Sequence, residues 1–215
     1  MQKHPVDFRL YLITDRKLFR SIRAFEEAIK EALATGVRAV QLREKDLPTR
    51  ELLEMAYRFR EMTKAYDAQL FINDRLDIAL SVQADGVHLG QSGIPVNAVK
   101  KIVGDNLIIG CSTHSLNEAI EAHSGGADFI TFGPVFKTPS KLKYGEPVGL
   151  EALREVSRTI NLPIFGIGGI KSDGIYDVLK AGASGIALIS GFFSGASGAD
   201  ITSSAREYLA KAGEL

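Results

Sequence analysis

Short apolar runs rich in β-branched and aromatic residues alternate along the chain with longer stretches in which apolar residues recur every third or fourth position. The short runs fall at 9–13, 39–42, 69–72, 86–89, 107–110, 128–132, 163–167 and 185–189. Most are continuous in apolar character, the pattern of parallel strands covered by helices. Between them, Phe25, Ala28, Ile29, Ala32 and Leu33 form one helical stripe, and Leu52, Leu53, Ala56 and Phe59 form another. Thr49 stands where it would cap the second helix, and Ser115 with Glu118 has the spacing of a capping box. Gly36, Gly104 and Gly182 stand where helices should stop before the next strand.

Eight strand–helix units in 215 residues match the minimal requirement of a (β/α)8 barrel. An open doubly wound sheet needs fewer strands, and its G-x-G-x-x-G fingerprint is absent. The expected architecture is therefore an α/β chain folded as one (β/α)8 TIM barrel over residues 1–215. No linker or low-complexity tract marks a boundary, and the Gly/Ser-rich stretch 194–200 reads as a loop before the last helix.

Charge narrows the candidate chemistry. The 26 Lys and Arg balance the 26 Asp and Glu, so no global field favours nucleic acid or an anionic membrane. Any anion must be held by a local cluster. The single cysteine, Cys111, excludes an internal disulfide and an all-cysteine metal site. No stretch has the apolar length of a membrane span, and a cytoplasmic location is expected.

In a barrel, chemistry gathers at the C-terminal ends of the strands. The second run leads into Gln41, Arg43 and Lys45, which alternation sends to one side. The charged run could be a solvated strand end, but a central strand ending in an inward Gln and Arg calls for a polar ligand or partner. The third run ends in Asn73 and Asp74, which could cap the next helix or serve the site. The fourth carries His88, which on its own reads as a hydrogen-bonded core residue. The fifth leads into Cys111, Ser112, His114 and Ser115, with no evident base to activate the thiol. After the sixth comes a long loop, 133–145, with Lys137, Thr138, Ser140, Lys141 and Lys143, suited to a polyanion and to a lid. The last two runs end in Gly166, Gly168 and Gly169, and in Ser190, where barrels commonly build a phosphate cradle. Two anion sites follow: a glycine and Ser190 cradle for a monophosphate, and Arg43, Lys45 and Lys141 with Asn73 and Asp74 for a larger anion. An acid among those cations suggests a Mg²⁺ bridging Asp74 to phosphate oxygens.

The motifs Tyr11-Leu12-Ile13-Thr14-Asp15, Gln41-Leu42-Arg43-Glu44-Lys45, Ile72-Asn73-Asp74, Gly86-Val87-His88-Leu89-Gly90-Gln91, Cys111-Ser112-Thr113-His114-Ser115, Gly133-Pro134-Val135-Phe136-Lys137-Thr138 and Gly166-Ile167-Gly168-Gly169 occur in this order. Together they resemble the thiamine phosphate synthase family over nearly the whole chain. The resemblance implies a Mg²⁺-dependent transferase that joins a hydroxymethylpyrimidine diphosphate to a hydroxyethylthiazole phosphate and releases diphosphate. By motif position, Gln41 would hold the pyrimidine with His88 nearby. Arg43, Lys45, Asn73, Ser112 and Lys141 would hold the diphosphate, and Asp74 the metal. Thr138, Ser140, Gly168, Gly169 and Ser190 would serve the thiazole phosphate. The family suggests a homodimer, although no patch in the sequence marks one. One departure is Gly93, which stands where the family usually has a second acidic metal ligand. The sister group of thiazole tautomerases, with His114 as acid/base, and a non-catalytic phosphate-binding barrel are the alternatives.

Overall fold

The computed structural model describes residues 6–138, 146–193 and 198–213. The strands are β1 (Leu10–Ile13), β2 (Ala39–Leu42), β3 (Gln69–Asn73), β4 (Gly86–Leu89), β5 (Ile108–Thr113), β6 (Phe129–Phe132), β7 (Ile164–Ile167) and β8 (Gly185–Leu188). All pair in parallel with their sequence neighbours, and β1 closes on β8 through Leu10 opposite Ile186. The crossover helices are α1 (Ile22–Thr35), α2 (Thr49–Ala65), α3 (Leu76–Ser81), α4 (Val96–Val103), α5 (Leu116–Gly125), α6 (Gly149–Thr159) and α7 (Ile175–Lys180), followed by α8 (Ser190–Phe193) and α9 (Gly198–Ala212). The expected (β/α)8 barrel is the observed one.

Local departures have local causes. Strand β5 runs on to Thr113 because Ser112 and Thr113 pair with Thr131 and Phe132 of β6. Thr49 is the first residue of α2 and caps nothing: Pro48 takes the N-cap position, and the Thr49 hydroxyl accepts from Arg75 at 3.0 Å. Ser115 does cap α5, accepting from the Glu118 backbone N–H at 3.2 Å. The expected loop 194–200 is shorter, since α9 begins at Gly198, and 194–197 lie outside the described residues.

The barrel interior is filled at its N-terminal end by an aromatic plug of Phe8, Tyr11, Phe71, Phe129 and Phe165, with Phe8 stacked 4.9 Å from Phe165. Glycines make room for it. A Cβ at Gly86 would fall 2.4 Å from the Phe71 ring, and one at Gly110 would fall 2.4 Å from Phe129. Above the plug the interior becomes polar, with buried Gln41, His88 and Thr131. Buried polar groups need partners, and their arrangement defines the site.

Candidate functional site

At the C-terminal mouth of the barrel lies a cavity of about 300 Å³. Gln41, Arg43, Lys45, Asn73, His88, Ser112, Thr138 and Gly168 all line it. Eight residues singled out from sequence thus converge on one space, although they come from six different strand ends. Ser140 and Lys141 lie outside the described residues. Ser190 follows Ile189, and Gly169 follows Gly168, both of which border the cavity.

The end of β2 is pinned by an acid that sequence reasoning passed over. Glu44 is buried and accepts from the Thr14 hydroxyl at 2.7 Å and from the Arg16 backbone N–H at 3.1 Å. The Thr14 hydroxyl oxygen in turn accepts from the Arg43 backbone N–H at 2.9 Å. Burial raises the Glu44 pKa, against the lowering effect of its Thr14 and Arg16 donors. Arg16 also grips Asp46 through two bonds of 2.8 and 2.9 Å and holds that carboxyl well below the usual range. The backbone of Arg43 is thereby fixed. Gln41 is buried in the floor, Arg43 is half-buried in the wall and Lys45 is exposed at the rim, so the three share one side although strand pairing ends at Leu42.

The floor is a connected set of hydrogen bonds. Gln41 Nε2 donates to the Tyr11 hydroxyl at 3.0 Å, which lies 3.4 Å from His88 Nδ1. His88 Nε2 lies 3.1 Å from Ser112 Oγ and 3.5 Å from Thr131 Oγ1. Burial pushes the imidazole down to about 3, so His88 is neutral at physiological pH, and burial raises the Tyr11 pKa well above its ordinary value. His88 is both hydrogen-bonded in the core and part of the cavity floor. Tyr11 was not singled out, since an apolar strand gives no sign of where a hydroxyl will point.

Asp74 does not cap α3. The N-cap is Arg75, whose guanidinium bonds Asp77 and Thr49 instead. Asp74 adopts a left-handed backbone with φ 58°, unusual for a residue with a side chain. Its Oδ1 accepts from the Gly90 backbone N–H at 2.7 Å, and its Oδ2 accepts from Asn73 Nδ2 at 2.8 Å, with Lys45 Nζ at 3.6 Å. The carboxylate keeps free lone pairs beyond these bonds. A Cβ at Gly93 would lie 3.0 Å from Asp74 Oδ1, so an acid at position 93 would point at Asp74. Among the described residues no cluster of three or more His, Cys, Asp or Glu could hold a metal by itself.

The opposite wall is made largely of backbone, beside Thr138. Gly168 and Gly169 have φ of 92° and 67°, and the loop after β6 packs directly on them. Phe136 N–H donates to the Gly168 carbonyl at 3.0 Å, and a Cβ at Gly169 would meet the Lys137 carbonyl at 2.6 Å. Of the remaining candidates, Cys111 is buried and its thiol is pushed up to about 11, mainly by desolvation, which removes it as a nucleophile. His114 borders the cavity, with its ring Nδ1 3.2 Å from Glu118 Oε2 and its backbone N–H donating to the same oxygen at 2.6 Å.

The profile of the thiamine monophosphate synthase family matches residues 10–192. A putative thiamine-phosphate synthase of Geobacter sulfurreducens is 52% identical over 185 residues, 86% of each chain. A thiamine-phosphate synthase of Caldanaerobacter subterraneus is 42% identical over 205 residues, covering 95% of this chain and 93% of the other. Among solved structures, thiamine phosphate pyrophosphorylase from Pyrococcus furiosus superposes with a TM-score of 0.84 at 42% identity, covering 96% of both chains.

Proposed function

Because the chain belongs to the thiamine monophosphate synthase family, we propose that its barrel-mouth cavity makes thiamine phosphate from a hydroxymethylpyrimidine diphosphate and a hydroxyethylthiazole phosphate. The observation that carries this reading is the convergence of Gln41, Arg43, Lys45, Asn73 and Ser112 on one cavity of about 300 Å³. Fixed donors on one wall suit a leaving diphosphate, and the glycine wall suits a monophosphate opposite. Gln41 holds the pyrimidine over the floor. Arg43, Lys45, Asn73, Ser112 and Lys141 accept the growing charge as the bond between the pyrimidine methylene carbon and the diphosphate oxygen breaks, its electron pair leaving with the oxygen. The thiazole nitrogen lone pair then forms the new carbon–nitrogen bond. Thr138, Ser140, Gly168, Gly169 and Ser190 hold the thiazole phosphate so that this nitrogen faces the methylene. No side chain has to move a proton in this sequence.

Asp74, whose carboxylate is oriented by Gly90 and Asn73 and retains lone pairs, fits a Mg²⁺ that takes its other ligands from water and diphosphate. Mg²⁺ held there would neutralise charge on the leaving diphosphate. With Gly93 opposite, Asp74 is the single carboxylate assigned to the metal, so binding should depend on the phosphorylated substrate. No helix among the described residues is long and apolar enough to cross a membrane, and the reading is completed by a cytoplasmic homodimer. The test is incubation with both phosphorylated substrates, with and without Mg²⁺, followed by detection of thiamine phosphate and diphosphate. Mg²⁺-dependent formation of both is expected. Binding of the phosphorylated ligands without turnover would replace the synthase with a binding barrel.

A further inference from the structure

The floor of the cavity is a single file of groups in which each hydrogen bond constrains the next. Ser112 Oγ is 3.1 Å from His88 Nε2, His88 Nδ1 is 3.4 Å from the Tyr11 hydroxyl, and that hydroxyl accepts from Gln41 Nε2 at 3.0 Å. Both ends, Ser112 and Gln41, face the cavity, while Tyr11 is wholly buried and His88 nearly so. A neutral imidazole has one N–H and one lone pair, and a hydroxyl has one proton. The file therefore has two self-consistent directions. In one, Gln41 donates to Tyr11, Tyr11 to His88 Nδ1, and His88 Nε2–H to Ser112, whose own proton is left for a ligand. In the other, Ser112 donates to His88, His88 to Tyr11 and Tyr11 to the Gln41 oxygen, so that Gln41 turns its NH2 group to the cavity. The two directions hold the same number of protons. They differ in the imidazole tautomer, the rotation of two hydroxyls and a flip of the Gln41 amide. Thr131 Oγ1, 3.5 Å from His88 Nε2, can donate or accept and so suits either direction.

We infer that Tyr11 and His88 are positioning residues that couple the two ends of the cavity: an anion accepting the Ser112 proton selects the first direction, and Gln41 then presents its oxygen to the exocyclic amine of the aminopyrimidine. This rests on the proposed substrates. An acceptor in that place matches the exocyclic amine, whereas the reversed amide would set N–H against N–H and leave buried donors unpaired. The bond from Gln41 Nε2 to Tyr11 shows that the first direction is accessible to the fold, and the contacts of the two His88 ring nitrogens are compatible with either direction. The coupling is reciprocal: whatever factor the anion adds to pyrimidine affinity, the pyrimidine adds to anion affinity.

The experiment titrates the aminopyrimidine alcohol, the substrate without its diphosphate, into the whole protein by calorimetry, with and without saturating Mg²⁺ and inorganic diphosphate. In the parent chain diphosphate is expected to tighten pyrimidine binding roughly tenfold. In Tyr11→Phe, which keeps the ring packed 5.3 Å from Phe71 and 5.4 Å from Phe129, the ratio should fall to about one. Ser112→Ala, which cuts the other end of the file, should lose the ratio as well, with the diphosphate concentration raised until it again saturates. A merely structural contribution would weaken binding in both conditions and leave the ratio intact. A parent chain that binds the pyrimidine with no effect of diphosphate, or a Tyr11→Phe variant that keeps the full ratio, overturns the coupling and leaves the proposed reaction standing. No pyrimidine binding in either condition overturns both.

Discussion

The two walls of the cavity are built by different means. On the side formed by the ends of β2 to β5, the groups that face the space are side chains: Gln41, Arg43, Lys45, Asn73 and Ser112. On the side formed by the ends of β6 to β8, beside Thr138, the material is largely backbone, with Gly168 and Gly169 in left-handed conformations pressed against the loop after β6. The cations of the first wall can be removed one at a time, because a cation pointing into a cavity supports little behind it. Among the described residues the Arg43 guanidinium makes no ion pair, and only its backbone N–H is anchored, to Thr14. The glycine turn of the second wall has no removable group. It can only be obstructed, and the obstruction falls on the packing of the fold itself.

The sharpest separation comes from Arg43→Ala. Removing a donor aimed at developing charge costs about 10²–10³ in turnover. Thermal or denaturant unfolding should change by no more than about 0.5 kcal/mol, the range of substitutions that break no packing. Steady-state thiamine phosphate formation and a denaturation curve on the same preparation check both halves. A variant that loses as much stability as activity would show that the side-chain wall is also structural.

Gly169→Ala should behave in the opposite way. The added Cβ would meet the Lys137 carbonyl at 2.6 Å and the Phe136 carbonyl at 2.7 Å, at a φ of 67° that L residues seldom adopt. Backbone oxygens cannot swing aside as a flexible side chain can, so the strand-end turn and the loop must shift together. A stability loss of about 1–3 kcal/mol is expected. The activity that remains should show a raised KM for the thiazole phosphate with little change for the pyrimidine diphosphate. Equal effects on both substrates would mean that the two walls do not act separately.

The same contrast governs what the sequence made legible. Strand positions could be read because a parallel strand buried on both faces leaves a continuous apolar run, and the glycine wall because neighbouring glycines mark turns that side chains cannot make. Arg43 and Lys45 were readable as cations where a barrel strand should stay apolar. Three features were hidden by distance in the chain. Glu44, between Arg43 and Lys45, looks like part of a solvated charge run, and only folding brings Thr14 and the Arg16 N–H against it. Tyr11 looks like core, and the partners of its hydroxyl come from β2 and β4. Asn73-Asp74 before a helix has the composition of a cap, but the left-handed turn at Asp74 aims its carboxylate at Gly90 instead. Local propensity states which groups are present, whereas strand register decides which of them meet.

The smallest effect is expected at the seam between the two walls, at His114. Its imidazole borders the cavity and is steadied by Glu118, with Nδ1 3.2 Å from that carboxylate, an arrangement that would suit an acid/base. Whether it is used as one depends on the reaction. A proton shift on the thiazole ring would need such a group, and deleting it would cost about 10²–10⁴ in rate. Bond formation by the thiazole nitrogen lone pair needs none, because diphosphate departs already ionised and no proton is gained or lost at the reacting carbon. His114→Ala should therefore lower thiamine phosphate formation by less than about tenfold, a drop of roughly 1.4 kcal/mol in transition-state stabilisation, the scale of one wall contact. The pH dependence of turnover should keep its shape. The substitution also frees Glu118 from the ring while leaving its Ser115-capped helix start in place, so the melting curve should move little. A loss beyond a hundredfold, with a changed pH profile, would put a proton transfer into the chemistry and make the end of β5 a catalytic element rather than part of the wall.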